Sequence, residues 1–210
     1  MSDSTSEKYI TIESRASYGV GRQMGEQLAS NPFEGVDAEA VAQGVIDALT
    51  GKESQVARPE LEEAFRTIGS RMQEKQEAQT KMQAKAGEIF LAENAKKEGV
   101  TVTASGLQYE VITAGTGAKP SAQSRVKTHY HGTLIDGTVF DSSYNRGEPI
   151  DFAVGGVIAG WTEALQLMPV GSKWRLYIPH NLAYGERGAG ASIAPFAALI
   201  FDVELLDIVG

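Results

Sequence analysis

Apolar residues recur every three or four positions through the first half of the chain and every second position after Gly99, so helices are expected first and strands afterwards. Residues 17–30 predict a helix on which Tyr18, Gly21, Gly25 and Leu28 share one stripe. Gly21 and Gly25 stand one turn apart: either they let a second helix approach closely, or they simply make this helix weak. A second helix is expected from an Asp37 N-cap to a stop before Gly51, with Val36 and Val41 placed as a hydrophobic staple. Its buried stripe holds Val41, Val45, Ala48 and Leu49.

The third helix starts at Pro59, which suits a first helical position, and Lys96, Lys97 and Gly99 mark its stop. If continuous, residues 59–98 extend roughly 60 Å at about 1.5 Å per residue. Leu61, Phe65, Ile68 and Met72 make an apolar stripe near its start, and Met82, Ala86, Ile89 and Phe90 another near its end. Between them, residues 73–81 hold nothing apolar except Ala78, the pattern of a solvated arm joining two domains. The three helices bring few large side chains, too few for a secure core. Self-association would bury the stripe of the first helix and the start of the third, so a homodimer built on the N-terminal helices is expected, rather than a monomer with a loose helical appendage.

Period-two alternation begins with Leu107, Tyr109 and Val111 against Gln108 and Glu110, and continues with Val126, Thr128 and Tyr130 against Lys127, His129 and His131. Asp136-Gly137 between two apolar runs predicts a hairpin. Residues 160–168 make a short helix stopped by Pro169, after which Trp174, Leu176 and Ile178 alternate as a strand. A glycine-rich loop, residues 184–195, leads to a last strand with Leu199, Phe201, Val203 and Leu205 on one face. The fold class is therefore multidomain, α followed by α+β: a helical dimerisation domain at residues 1–58, a long connecting helix at 59–98, and an antiparallel curved sheet wrapped on a short helix at 99–210.

Composition removes several chemistries. A net charge of −8 offers no general attraction to nucleic acid or anionic lipid. Zero Cys excludes disulfides, thiolate nucleophiles and Cys-metal sites. Met1 to Lys8 lacks the basic-then-apolar order of a secretory signal, and no stretch approaches the roughly 20 apolar residues of a membrane span. A cytoplasmic location is expected, or a periplasmic one if a signal peptide has been removed. No GxSxG, HExxH, GxxxxGK[ST] or helix-opening GxGxxG occurs. His129 and His131 share a strand face, and a solvated face explains them better than a metal; neither metal nor cofactor is expected.

Aromatic and apolar residues do cluster beside turns: Phe140-Asp141 after the hairpin, Val157-Ile158 before Trp161 at a helix start, and Tyr184 where the last loop leaves a strand. They are either ordinary core residues or the floor and walls of an apolar pocket.

Five ordered motifs fill residues 106–209: THYHGTLIDGTVFDSS ending at Ser143, GVIAGW ending at Trp161, MPVGS ending at Ser172, AYGERG ending at Gly188 and LIFDVELL ending at Leu206. This series closely resembles the FK506-binding (FKBP-type) peptidyl-prolyl cis/trans isomerases. The first part, through Ala16-Ser-Tyr-Gly-Val-Gly21 and its architecture, is similar to the helical dimerisation domain of the bacterial macrophage infectivity potentiator subgroup. The resemblance implies a pocket with catalytic Tyr130, Phe140, Asp141, Trp161, Tyr184 and Phe201. Arg146, Ile150, Val157, Ile158, Ala189 and Ile193 would bind substrate or inhibitor. Ile150 stands where an aromatic wall is common and Ala189 where a histidine is common, so both trim the rim. X–Pro peptides, unfolded proteins and FK506- or rapamycin-type macrolides are the implied partners of a two-armed or V-shaped homodimer. The alternative is a chaperone that chiefly holds clients and isomerises them secondarily.

Overall fold

Residues 8–209 are described by the computed structural model of the chain; the signal-sequence reading made on its first residues falls on 1–7, outside them, apart from Lys8. Two compact units divide the chain, Met1–Glu74 and Lys75–Gly210.

The first unit is helical. Helix α1 (Ile12–Ser30) begins five residues earlier than expected, because Thr11 and Ser14 form a reciprocal capping box. The Ser14 N–H donates to Thr11 Oγ1 at 3.1 Å and the Thr11 N–H to Ser14 Oγ at 3.2 Å. Helix α2 (Ala38–Leu49) starts as predicted, with Asp37 Oδ1 accepting from the N–H groups of Glu39 and Ala40. Its expected buried stripe is corrected: Val41 and Ala48 are exposed, Leu49 is 83% exposed, and Asp47 is the buried residue. Asp47 tolerates burial because its carboxylate accepts from Gln43 Nε2 at 2.7 Å and Gln55 Nε2 at 2.6 Å. Among the described residues, no surface of the same chain covers Val41, Ala48 or Leu49. Helix α3 (Arg58–Asn94) is continuous for 37 residues, about 55 Å, and residues 71–79 are exposed throughout.

In the second unit, seven antiparallel strands form one sheet: β1 (Val100–Val102), β2 (Gln108–Thr113), β3 (Arg125–Leu134), β4 (Val139–Ser142), β5 (Ile150–Ala153), β6 (Lys173–Ile178) and β7 (Leu199–Ile208). The order is β1-β2-β6-β7-β3-β4, with β5 also paired to β3. A one-turn helix, α4 (Ser143–Arg146), follows β4, and α5 (Ala159–Leu167) covers the sheet. Trp161, Ala164 and Leu165 of α5 and the following Met168 share a core with Leu176 and Ile178 of β6 and with Leu199, Phe201, Val203 and Leu205 of β7. Gly160 permits that approach: a Cβ there would lie 2.6 Å from Ile178 Cγ2.

Of the stripe expected at the end of α3, Phe90 packs inward while the other three residues stay exposed. Met82 and Ile89 are exposed, while Gly87 and Asn94 are buried and the Phe90 ring lies 6.0 Å from that of Tyr177. The reason is close approach, since a Cβ on Gly87 would come within 3.2 Å of Ala198 Cβ. Gln108, expected on the polar side of β2, is also buried. It accepts from Asn94 Nδ2 at 3.0 Å and donates to the Leu91 carbonyl at 2.9 Å, tying the helix end to the sheet.

Candidate active site

The hairpin after β3 starts the site. Asp136 Oδ1 accepts from the Thr138 N–H at 2.9 Å, and Gly137 takes the left-handed backbone at φ +87°. The chain returns as β4 with Gly132 opposite Asp141 and a register shift at Gly132/Thr133. Gly132 has no side chain to spare for this approach: a Cβ there would lie 2.7 Å from Phe140 Cζ and 2.8 Å from Phe201 Cε1. Both rings therefore lie against bare strand, edge to face with centroids 5.3 Å apart.

Trp161, in the first turn of α5, is 3% exposed and forms the floor. Three rings stand nearly perpendicular to it: Phe201 at 5.2 Å, Tyr130 at 5.3 Å and Phe152 at 5.6 Å. Among the described residues nothing accepts the N–H of Ile158, the residue that opens α5. The far wall is the loop before β7, closed on itself by paired hydrogen bonds between Ala189 and Ile193 at 2.8 and 3.1 Å. Gly188 is required there, because it sits at φ +65° with the Ile193 carbonyl where a Cβ would project. Together these elements enclose an open cleft of about 720 Å³.

One polar cluster flanks the aromatic floor. The Tyr130 hydroxyl donates to Asp141; Arg146 donates through Nη1 to Asp141 and through Nη2 to the Tyr130 oxygen at 2.8 Å. Burial opposes ionisation of Asp141, but the bonds from Tyr130 and Arg146 outweigh it and hold the carboxyl below the usual carboxylate range. Burial, and then the bond to Asp141, pushes the Tyr130 phenol up. At neutral pH the cluster is a phenol, a carboxylate and a guanidinium, so Asp141 is poorly suited to accept a proton.

Ten of the residues expected at the site line this cleft: Tyr130, Phe140, Asp141, Val157, Ile158, Trp161, Tyr184, Ala189, Ile193 and Phe201. Arg146 adjoins it through Asp141 and Tyr130. Ile150 lies elsewhere, on β5 opposite Thr128 and packed toward the core. The lining also includes Phe152, Gly156, Gly190 and Ser192, which sequence reasoning missed. The alternation Ile150-Asp151-Phe152 carried a signal for Phe152. His129 and His131 meet Ser143 and Ser142 at 2.9 and 3.0 Å, and among the described residues no three His, Asp or Glu side chains are grouped to hold a metal.

Known proteins resemble this chain along most of its length. The family model described as "FKBP-type peptidyl-prolyl cis-trans isomerase" matches residues 116–206, and that described as "Domain amino terminal to FKBP-type peptidyl-prolyl isomerase" matches residues 13–111. The "FKBP-type 22 kDa peptidyl-prolyl cis-trans isomerase" of Escherichia coli is 54% identical over 204 residues, spanning 97% of this chain and 99% of that protein. The "Outer membrane protein MIP" of Legionella longbeachae is 38% identical over 202 residues, 94% of this chain and 86% of that protein. The crystal structure of FkpA from Escherichia coli superposes with a TM-score of 0.75 at 36% identity, covering 95% of this chain and 98% of that one. Among the described residues no helix is long and apolar enough to cross a membrane. With a relative named for the outer membrane, these comparisons lend the expected cytoplasmic location no support.

Proposed function

The chain belongs to the FKBP-type peptidyl-prolyl cis-trans isomerase family, and from that premise we propose that the cleft floored by Trp161 is where the X–Pro bond turns. The observation that carries this reading is the arrangement of three rings edge-on to Trp161 at the base of an open cleft, with Asp141 and Arg146 neutralising each other at its side. Rotation about X–Pro has a barrier of about 18–20 kcal/mol because the twisted amide loses its resonance. The twisted bond is less charge-separated than the planar one. Moving it out of water among Trp161, Phe140 and Phe201 therefore favours the transition state over the ground state. No bond breaks, so no nucleophile is needed. The free Ile158 N–H and the rim hydroxyl of Tyr184 hold neighbouring peptide carbonyls while the prolyl bond turns. Tyr130 and Arg146 keep Asp141 charged and oriented, and that cluster shapes the wall; Val157, Ala189 and Ile193 contact the flanking residues. FK506- and rapamycin-type macrolides occupy the same cleft.

The test is a protease-coupled isomerisation assay on an X–Pro tetrapeptide, with and without FK506. Phe140→Ala and Asp141→Ala are expected to lower kcat/KM at least tenfold with the fold retained, as an edge of the cage or its wall is lost. Full activity in either variant sinks the reading.

Residues 1–58 serve as the dimerisation domain, 59–98 as the connecting helix and 99–210 as the isomerase domain. The exposed Tyr18, Val20, Met24 and Leu49 of the first unit support self-association. Sedimentation of the full chain is expected to give twice the 22.4 kDa of one chain. The same exposed side chains favour a second reading, in which the protein holds unfolded clients and two linked sites raise the effective concentration of the second contact. If residues 99–210 alone match the full chain on a tetrapeptide but fall behind on a proline-limited refolding reaction, the N-terminal part serves client capture.

A further inference from the structure

Strand β3 has a gap along one edge. On that side β5 pairs with residues 125–128 and β4 with residues 131–133, so neither reaches Tyr130. On the other side Tyr130 stands opposite Val203 of β7. In an antiparallel strand the N–H and C=O of one residue point the same way, and both of Tyr130's meet a single side-chain atom. Its N–H donates to Ser143 Oγ at 2.7 Å, and Ser143 Oγ donates to its carbonyl at 3.2 Å. Ser143 is 0% exposed, so water has no access to replace it. Its hydroxyl stands in for the strand residue that the gap lacks.

The same oxygen has a third partner, His129 Nδ1, at 2.9 Å. A hydroxyl donates one hydrogen and accepts two. All three contacts are satisfied together when His129 Nδ1 carries a hydrogen and donates it, leaving the serine hydrogen for the Tyr130 carbonyl. His129 is held for this by stacking on Tyr144, with centroids 4.5 Å apart and planes 13° off parallel. Tyr144 is pinned in turn by donating to Glu204 at 2.7 Å and accepting from Lys173 at 3.3 Å.

Ser143 follows Asp141 by two residues and opens the helix that carries Arg146. One buried oxygen thus fastens the strand bearing Tyr130 to the turn bearing Asp141 and Arg146. We infer that Ser143 is a positioning residue for the Tyr130–Asp141–Arg146 cluster, and that the His129 Nδ1–H sets the direction of its hydroxyl hydrogen. This inference rests on the reading of the cleft as the isomerase site.

The test compares four variants of the full chain on an X–Pro tetrapeptide, with amide NMR of Tyr130. His129→Phe keeps a ring on Tyr144 and removes the donor; His129→Asn removes the ring and returns an N–H near the Nδ1 position. Ser143→Ala and His129→Phe are expected to lower kcat/KM about tenfold and to shift the Tyr130 amide proton upfield, whereas His129→Asn stays within roughly twofold of the parent. A fully active His129→Phe, or a His129→Asn as impaired as His129→Phe, overturns the inference. If Ser143→Ala fails to fold, the two His129 variants decide alone. Phe140→Ala separates the two failures: when it is inactive and the positioning variants are not, the relay is wrong and the site right. A fully active Phe140→Ala removes the site and the relay together.

Discussion

Adding one methyl group at Gly132 tests how the cleft wall is built. In Gly132→Ala the new Cβ would stand 2.7 and 2.8 Å from two atoms of the Phe140 ring and 2.8 Å from Phe201 Cε1. Carbon atoms pack best at about 3.5–4.0 Å, so the rings or the strand must retreat by roughly 1 Å. Overpacking of this kind costs about 1–3 kcal/mol of stability. The functional cost is larger in proportion, because the displaced rings are the wall that faces Trp161, and a misplacement of about 1 Å is enough for losses near 10²-fold. The urea midpoint should fall, and kcat/KM for an X–Pro tetrapeptide should drop by roughly ten- to a hundredfold. A double-mutant cycle locates the strain: Phe140→Leu in the Gly132→Ala background vacates the space the methyl needs. The stability costs should then be non-additive by about 1 kcal/mol in the favourable direction. Parental stability and turnover in Gly132→Ala would refute the argument, as would strictly additive costs, since the methyl would then have been accommodated away from Phe140.

Two further predictions follow from the polar groups. Asp141 titrates below its ordinary value, so the stability its cluster contributes is present above about pH 3.9 and is lost as the pH falls through the folded value beneath that. Tyr130 titrates above its ordinary value, so the same cluster weakens as the pH rises past about 10. The difference in urea midpoint between the parent and Asp141→Asn should therefore be flat from about pH 5 to 9; a step inside that window contradicts the assignment. Asn94→Ala strands the buried Gln108 carbonyl oxygen that Asn94 now satisfies and should cost about 1–3 kcal/mol by denaturant unfolding. Tetrapeptide turnover should stay at the parental level, because Asn94 is outside the cleft.

Much of the local structure was legible because it depends on neighbours in the chain. Asp37 caps α2 and Asp136-Gly137 turns the hairpin through contacts two or three residues long. The alternation on β7 is read correctly, since its inward residues are all fully or nearly fully buried. The errors fall where a distant surface decides which face is covered. Val41 and Leu49 are apolar yet exposed, while Asp47, Gln108 and Asn94 are polar yet buried, each with partners that lie elsewhere on the chain or on the next element. The capping box at Thr11 escaped notice because a serine takes the place usually held by Glu or Gln.

The candidate site divides in the same way. Its residue types and their order along the chain carry the family resemblance, and ten of the twelve expected side chains line the cleft. What the chain order cannot express is adjacency across the sheet. Phe152 rather than Ile150 reaches Trp161 because of how β5 lies on β3, and Ser143 serves Tyr130 because two strands stop short of it. Periodicity records which way a residue faces relative to its own backbone. Which atoms then meet depends on strand register and close approach, and these are fixed only when the whole sheet closes around α5.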